Sequence, residues 1–291
     1  NIIYMKIISK PVNSNYAIVT IAIGQIYYDS WENYALPLWK QYCEKYNLSL
    51  IVIDEELITN NDDKWKKPTW QKGLMGNAIR REFPHINNIC YLDSDILINY
   101  TAPNVFDFHD ERKISLVSKR SNLPYNYESV LRRIAFLRHN YINNKYPLDS
   151  ALFMPLEKLY RYHGLSTQND EACMGLIMFN LEEYSDLFEE WFMKYTKDVS
   201  SITGGGDQTH YNYEILNHGK VNWLDYRFQA LWVYEMAWKY SFLFDYGSNN
   251  DELIKECIEA SLFTNYFLHF AGSWNESNMW MIDGILEGQH Q

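Results

Sequence analysis

The sequence predicts an α/β fold with a doubly wound, mainly parallel central sheet flanked by helices. One observation is that short β-branched apolar stretches alternate with longer stretches whose apolar residues recur at helical spacing. A second is their order over residues 16–98 (strand, helix, strand, helix, strand), which is typical of doubly wound sheets. Because neither internal repeats nor Pro/Gly-rich linkers interrupt the 291 residues, we expect a single domain.

The first half of the chain supplies most of the predicted sheet. The β-branched stretch "YAIVTIAIG" ends at Gly24, and Ser30 is the expected N-cap of the helix that follows. Pro84 closes the second helix, because proline cannot continue a helix. The predicted elements are strands at 16–24 and 48–55, helices at 30–47 and 69–83, and a third strand within 88–98.

The second half departs from this regular alternation. Residues 120–165 are polar and aromatic, with helical fragments and scattered prolines, and the C-terminal third is aromatic and irregular. The predicted elements are a central strand at 172–181, an amphipathic helix at 182–198, and a helix within 204–219 that a glycine loop opens. The aromatic residues Trp223, Tyr226, Trp232, Tyr234 and Trp238 are expected to be mostly core, with one or two stacking on a ligand.

Composition limits the partners and the compartment. The net charge of -11 and the pI of about 5.2 argue against nucleic acid or an anionic membrane as a main partner. Basic clusters at 64–68 and 131–145 are interpreted as solvated faces. The four cysteines show no C-x-x-C spacing, and Cys90 and Cys173 are expected to be buried thiols, which favours a reducing compartment. With no transmembrane or signal-peptide pattern, a cytoplasmic location is expected, with peripheral membrane attachment left open.

Two aspartates one residue apart, Asp93 and Asp95, follow the apolar stretch 89–92. Ligands of open α/β sheets bind at the carboxyl ends of the strands, where these carboxylates are expected to lie. Unpaired carboxylates this close repel each other, so their spacing indicates a cation between them. Mg²⁺ and Mn²⁺ prefer such hard oxygen ligands. The alternative is a strand-end turn in which one aspartate caps backbone N–H groups.

The segment "YLDSDILI" resembles the D-x-D segment of GT-A fold glycosyltransferases, in particular the retaining galactosyltransferase and glycogenin-like families. In those families a helix with a basic residue precedes the D-x-D strand, as "TWQKGLMGNAIRREF" does here. Four segments in the same order make the resemblance, over residues 16–274, much more specific than the D-x-D alone. They are "YLDSDILI", "CMGLIMFNLEEY", "GGGDQTHYNYEILNHGKVNWLDYRFQ" and "LHFAGSWN".

The resemblance implies a hexosyltransferase with a metal cofactor, Mn²⁺ or Mg²⁺. It would transfer a hexose from a nucleotide diphosphate sugar, most simply a UDP-sugar, to a glycan or glycoconjugate acceptor with retention of anomeric configuration. Residues 1–119 would form the nucleotide-binding half and residues 120–291 the acceptor-binding half of the single domain.

The same resemblance assigns roles to individual residues. His269 would complete the metal site of Asp93 and Asp95, and Asp207 and Gln208 would be catalytic on the β-face of the donor sugar. The donor contacts would come from Ala22, Ile23, Gly24, Lys72, Asp93, Ser94, Asp95 and Gly272.

Three positions depart from the pattern of those families. Residues 172–175 (Ala, Cys, Met, Gly) stand where the families have N-A-G, which leaves the acceptor contacts open. Residues 273–275 (Ser, Trp, Asn) replace the lysine that usually follows H-x-x-G and contacts the diphosphate. Gln229 replaces the asparagine of the "R-F-N" turn.

The sequence is also compatible with three alternatives. An inverting GT-A enzyme needs a carboxylate base near the acceptor, with Asp170 or Glu171 as candidates. A sugar-1-phosphate nucleotidyltransferase needs a glycine-rich basic loop after the first strand, which "TIAIGQIYYDSW" lacks. A glycan-binding module without catalysis would keep the aromatic residues but would not need the D-x-D, Asp207 and His269 together.

Overall fold

Hydrogen-bonded strands form two sheets in the part of the chain that the structure, a computed structural model, describes. That part comprises residues 5–11, 13–141, 150–196, 206–246, 250–272 and 274–288. The strands are β1 (Lys6–Ser9), β2 (Tyr16–Ile21), β3 (Ser49–Ile53), β4 (Asn88–Leu92), β5 (Ile96–Ile98), β6 (Ile114–Leu116), β7 (Leu176–Asn180), β8 (Val221–Trp223), β9 (Ala230–Leu231) and β10 (Phe267–His269).

Helices connect and cover these strands. Two glycines of the predicted loop, Gly204 and Gly205, lie outside the described residues, as do Ser273 and the end of the helix predicted at 182–198. The helices are α1 (Gln25–Ser30), α2 (Leu36–Tyr46), α3 (Lys72–Glu82), α4 (Tyr127–Tyr141), α5 (Ser150–Phe153), α6 (Leu156–Tyr162), α7 (Leu181–Lys194), α8 (Gln208–His218), α9 (Trp232–Lys239), α10 (Leu243–Tyr246) and α11 (Asp251–Thr264).

The large sheet has seven strands in the order β1-β3-β2-β4-β7-β6-β8. The pairs β2–β3, β2–β4 and β6–β8 are parallel, whereas β1–β3, β4–β7 and β6–β7 are antiparallel. The predicted α/β class and the central position of β7 are confirmed, but the sheet is mixed rather than mainly parallel. The apolar pattern of a strand buried on both faces predicts its existence and not its direction.

The first helical segment begins earlier than predicted. Gly24 is the N-cap of α1, and Ser30 lies inside the helix, where its hydroxyl donates to the carbonyl oxygen of Ile26 at 2.8 Å. The prediction of Ser30 as N-cap is therefore wrong. A π-helical turn, Trp31–Ala35, joins α1 to α2 immediately before Pro37. The irregular turn falls where proline removes one helical N–H donor.

The core lies on both faces of the large sheet. Alternate residues of β2, β3 and β4 contact α2 and the C-terminal elements on one face, with Trp39 and Tyr42 fully buried. The other residues of these strands contact α3, α7 and α8, with Met75 and Phe188 fully buried. This two-faced burial explains why the strands have near-continuous apolar sequences.

The C-terminal third is more regular than its sequence suggests. It contains α9, the 14-residue helix α11 and the strand β10, so the prediction of an irregular segment is wrong there. Ile254, Cys257, Ile258 and Leu262 give α11 a buried stripe at helical spacing. Aromatic residues on both sides of this stripe conceal it in the sequence. The second sheet has the order β5-β10-β9.

Two expectations from composition concern the cysteines and the membrane. All four cysteines are buried free thiols, which includes the predicted Cys90 and Cys173. Among the described helices, none has both the length and the apolar character that crossing a bilayer requires.

The contact between α3 and α7 depends on the absence of a side chain at Gly76. A Cβ atom there would lie 2.6 Å from Ser185 Oγ and 3.0 Å from Ser185 Cβ. Such distances force the helices apart, so glycine sets how closely α3 and α7 approach.

We expect Gly76→Ala to lower the free energy of unfolding by about 1–3 kcal/mol, since overpacking outweighs the gain in helix propensity. Urea unfolding followed by circular dichroism measures this change. Ser185→Ala provides a matched rescue, because Ser185 Oγ has no hydrogen-bond partner in the described structure. The double variant should recover part of the loss, whereas a Gly76→Ala protein as stable as the wild type would contradict the packing argument.

Candidate active site

The two aspartates lie in the turn that joins the two sheets. β4 of the large sheet ends at Leu92, and β5 of the small sheet begins at Ile96. The N–H of Asp93 donates to the carbonyl oxygen of Gly175 at 2.9 Å. About a third of each aspartate side chain is exposed (31%), so both carboxylates reach the edge of the core. The turn therefore lies at the carboxyl end of β4, as predicted.

Strand β10 brings His269 to this turn. His269 pairs with Ile96 of β5 on one side and with Leu231 of β9 on the other. The N–H of Phe270 donates to the carbonyl oxygen of Asp95 at 3.1 Å. This register places His269 Nε2 3.1 Å from Asp95 Oδ1 and 3.5 Å from Asp93 Oδ2. Ligand atoms of all three side chains lie within 4.8 Å of one another.

Gln229 determines which nitrogen of His269 faces the carboxylates. Gln229 Nε2 donates to the carbonyl oxygen of Cys173 at 3.0 Å, which leaves its Oε1 as an acceptor 2.9 Å from His269 Nδ1. The proton of the neutral imidazole is therefore on Nδ1, and the lone pair of Nε2 points at the two aspartates.

The absence of a side chain at Gly175 makes room for this histidine. A Cβ atom at Gly175 would lie 2.3 Å from His269 Cε1 and 2.6 Å from Gln229 Oε1. Neither contact can be tolerated, because both side chains are buried and hydrogen-bonded. In the sequence, Gly175 and Gln229 stand out only as parts of segments that depart from the family pattern, "CMG" and "RFQ".

A divalent cation fits the three side chains. Asp95 Oδ1 is buried and has no hydrogen-bond partner in the described structure, and the Nε2 atom facing it carries a lone pair. Burial alone lowers the pKa of His269, but the negative charge of Asp95 and the contact with Cys173 raise it well above 6.5. The site thus attracts positive charge, which either a proton on Nε2 or a metal ion supplies.

Lys72 connects the aspartate turn with helix α8. Its buried Nζ atom lies 3.0 Å from Asp207 Oδ2 and 3.7 Å from Asp93 Oδ1, and it donates to the carbonyl oxygen of Met174 at 3.0 Å. Burial lowers the pKa of Lys72, but the two carboxylates raise it above its ordinary value, so the lysine is charged. Lys72 therefore neutralises Asp93 and Asp207 from the interior of the protein.

Asp207 and Gln208 stand at the start of α8. Asp207 occupies the N-cap position but makes no side-chain cap, because its carboxylate is turned toward Lys72. Burial raises the pKa of Asp207 above its ordinary value; the charge of Lys72 opposes this rise and the charge of Asp93 adds to it. Gln208 is half-buried, and its Nε2 donates to Glu171 Oε1 at 2.7 Å. The two predicted catalytic residues thus point to different partners.

The carboxylates considered as bases form ion pairs or hydrogen bonds through both oxygens of Glu171 and one oxygen of Asp170. Glu171 is buried and forms ion pairs with Lys119 at 3.2 Å and Arg120 at 2.7 Å. Asp170 Oδ1 accepts from Ser118 Oγ and from the N–H of Glu171, both at 2.7 Å. Lys119 and Arg120 could not be predicted as partners of Glu171, because a basic pair after a short strand carries no specific signal.

The remaining predicted donor residues follow strand ends near the site. β2 is parallel to β4, with Val19 opposite Tyr91, so residues 22–24 leave the sheet at the edge where Asp93 lies. Ser94 is half-buried within the aspartate turn, and Gly272 follows β10 with a φ of 103°. Donor contacts of these residues stay predictions.

Most of the five aromatic residues between positions 223 and 238 belong to the core, as expected. Tyr226, Trp232 and Tyr234 are buried, whereas Trp223 and Trp238 are exposed by 37% and 48%. Only these two of the five can therefore stack on a ligand from the surface.

Two solved structures of glycosyltransferases are similar to this chain. A glycosyltransferase involved in the glycosylation of the major capsid of PBCV-1 matches with a TM-score of 0.50 at 12% identity, over 91% of this chain and 98% of that one. The bifunctional glycosyltransferase WbbM, in its apo structure, matches with a TM-score of 0.50 at 12% identity. That match covers 96% of this chain and 52% of WbbM, so this chain spans about half of it. The sequence matches no protein-family model and no curated protein. The chain has the GT-A-like α/β fold of these glycosyltransferases.

Proposed function

We propose that this chain is a metal-dependent glycosyltransferase. It transfers a hexose from a nucleotide diphosphate sugar, a UDP-sugar, to a glycan or glycoconjugate acceptor and retains the anomeric configuration. The observation that carries the proposal is the convergence of Asp93, Asp95 and His269, whose facing atoms all have lone pairs that a cation can accept. The GT-A-like fold supports it, because the cluster lies at the edge of the sheet where such folds bind ligands.

Mn²⁺ or Mg²⁺ is the cation that this ligand set suits, with two carboxylate oxygens and one imidazole nitrogen. A bound cation would supply positive charge to offset the negative charge of the diphosphate. Asp93 and Asp95 would hold it from the turn, and His269 would hold it from β10. Gln229 keeps the lone pair of His269 directed at it, as an outer hydrogen-bond partner commonly does for a histidine ligand.

In the proposed reaction the bond between the anomeric carbon and the diphosphate oxygen breaks. The acceptor hydroxyl oxygen forms the new bond on the same face and transfers its proton to the departing phosphate oxygen. Gln208 contacts the opposite face, where its amide oxygen stabilises the positive charge that develops on the sugar. Asp207 supports the site from the interior through its ion pair with Lys72.

An inverting mechanism finds less support. It needs a carboxylate that takes the proton of the acceptor hydroxyl. Both oxygens of Glu171 are engaged by Gln208, Lys119 and Arg120, and one oxygen of Asp170 accepts two hydrogen bonds. Retention needs no such base, which is why these contacts favour it.

The metal site has a direct test. We expect Asp93→Asn and Asp95→Asn each to lower kcat by at least about 100-fold, because neutral amides weaken the hold on a divalent cation. Each variant should also lose the rise in Tm that a UDP-sugar with Mn²⁺ gives the wild type. Asp186→Asn, at a carboxylate that is 84% exposed, is the matched control and should behave like the wild type. Full activity in either site variant would contradict the metal site.

Protonation of His269 should compete with the metal. The protonated His269–Asp95 pair stabilises the metal-free fold fully below about pH 6.5, and this contribution is lost as the pH rises through the raised folded-state pKa. We therefore expect the Mn²⁺-induced rise in Tm to be larger near pH 8.5 than near pH 6.5. In His269→Gln the rise should be small and should vary little with pH. An equal pH dependence in both proteins would assign His269 to the core.

Stereochemistry tests the reaction itself. We expect a UDP-α-sugar to give an α-linked product, which NMR of the first-formed product identifies. Gln208→Ala should lower kcat by about 10-fold or more and change KM much less, since its contact with the sugar strengthens as charge develops. Asp207→Asn should lower kcat as well, because it weakens the buried ion pair with Lys72. A β-linked first product would overturn retention and return attention to Asp170 and Glu171.

A further inference from the structure

The amide of Gln208 is held in one orientation by a buried carboxylate. Gln208 Nε2 donates to Glu171 Oε1 at 2.7 Å. An ionised carboxylate only accepts hydrogen bonds, so it binds the NH2 end of an amide and repels the oxygen end. The chemistry of Glu171 therefore dictates which end of the Gln208 amide faces away from it.

Glu171 is itself held firmly. Lys119 Nζ lies 3.2 Å from Glu171 Oε1, and Arg120 Nε donates to Oε2 at 2.7 Å. The N–H of Lys119 also donates to the carbonyl oxygen of Glu171 at 3.0 Å. Burial by itself raises the pKa of Glu171, but the two cations and the hydrogen bonds hold it below its ordinary value. The carboxylate is therefore ionised and fixed in position.

The backbone at the start of α8 is tied to the same segment. Asn212 Nδ2 donates to the carbonyl oxygens of Ala172 and Gln208, and Asn212 Oδ1 accepts from the N–H of Ala172. Gln208 thus cannot shift along Glu171 without breaking these contacts. Its amide oxygen accepts no hydrogen bond from any residue that the structure describes.

We infer that Glu171 is a positioning residue that turns the carbonyl oxygen of Gln208, rather than its NH2 group, toward the donor sugar. The inference rests on the proposed function and gives Glu171 a role other than that of a base. The amide oxygen carries partial negative charge, so it stabilises the positive charge that develops at the anomeric carbon. An amide turned the other way would present its N–H donors to that charge and oppose it.

A kinetic double-mutant cycle tests this role. Glu171→Gln should lower kcat about 10- to 100-fold with the donor KM within about 3-fold of wild type, because the contact is made in the transition state. In the Gln208→Ala background the same substitution should change kcat less than about 2-fold, since no amide is left to orient. A purely structural role predicts an equal loss in both backgrounds.

Exchanging the two side chains tests the orientation and keeps the total charge of the cluster. Gln208→Glu alone sets two carboxylates against each other, so we expect lower kcat and lower thermal stability. Adding Glu171→Gln restores the hydrogen bond in the reverse direction, with the NH2 group at position 171 donating to the carboxylate at position 208. The other oxygen of that carboxylate stays free toward the sugar. The double exchange should recover at least about 10-fold in kcat over Gln208→Glu alone.

Glu235→Gln is the matched control. Glu235 is also a buried carboxylate, with Lys239 Nζ at 2.8 Å, and no described contact links it to Gln208. Its loss should reduce stability and leave kcat within about 3-fold of wild type. If the wild type is active, two results would overturn the role of Glu171. One is a loss of kcat from Glu171→Gln that is equal in both backgrounds of the cycle, and the other is no recovery of kcat in the double exchange. A wild type that neither transfers nor hydrolyses a nucleotide sugar would overturn the proposed function and this inference together.

Discussion

Lone pairs from two carboxylates and one imidazole face each other where the large sheet passes into the small one. The backbone enforces this arrangement, since the N–H groups of Asp93 and Phe270 are bonded to the carbonyl oxygens of Gly175 and Asp95. Gly175 leaves space for the ring of His269, and Gln229 fixes its orientation. Groups that repel each other in this way persist only when positive charge is close by, and the surrounding structure is arranged to supply it.

Buried charges of alternating sign extend inward from that point. Lys72 lies between Asp93 and Asp207, and the neighbouring Gln208 binds Glu171, which two further cations neutralise. Each charge of this cluster has an opposite partner, so the cost of removing it from water is offset locally. Polar side chains held in this way need little rearrangement when a charged substrate arrives, which is the condition for electrostatic stabilisation of a transition state.

The sequence predicted most strands and helices of the large sheet and the aspartates of the site, but not the helices of the C-terminal third or the residues that orient the site side chains. Strand ends with paired carboxylates are visible as a local pattern, so Asp93 and Asp95 could be found before the structure. Strand direction could not, because β7 is apolar in the same way whether it runs parallel or antiparallel to β4. The partners of Glu171 and His269 were also hidden, since they come from segments about 40 to 50 residues away, such as Arg120 and Gln229.

The pairing of β10 with β5 and β9 gives the site a dependence on strand register. Side chains alternate between the two faces of a strand, so a slip of one residue would exchange His269 for Leu268 or Phe270 opposite Ile96. Either substitute is apolar and offers the aspartates no lone pair and no proton. A misregistered chain would therefore retain much of its core and yet be unable to hold a cation. Cation binding where the two sheets meet would thus report whether β10 is paired in the correct register, independently of how compact the chain is.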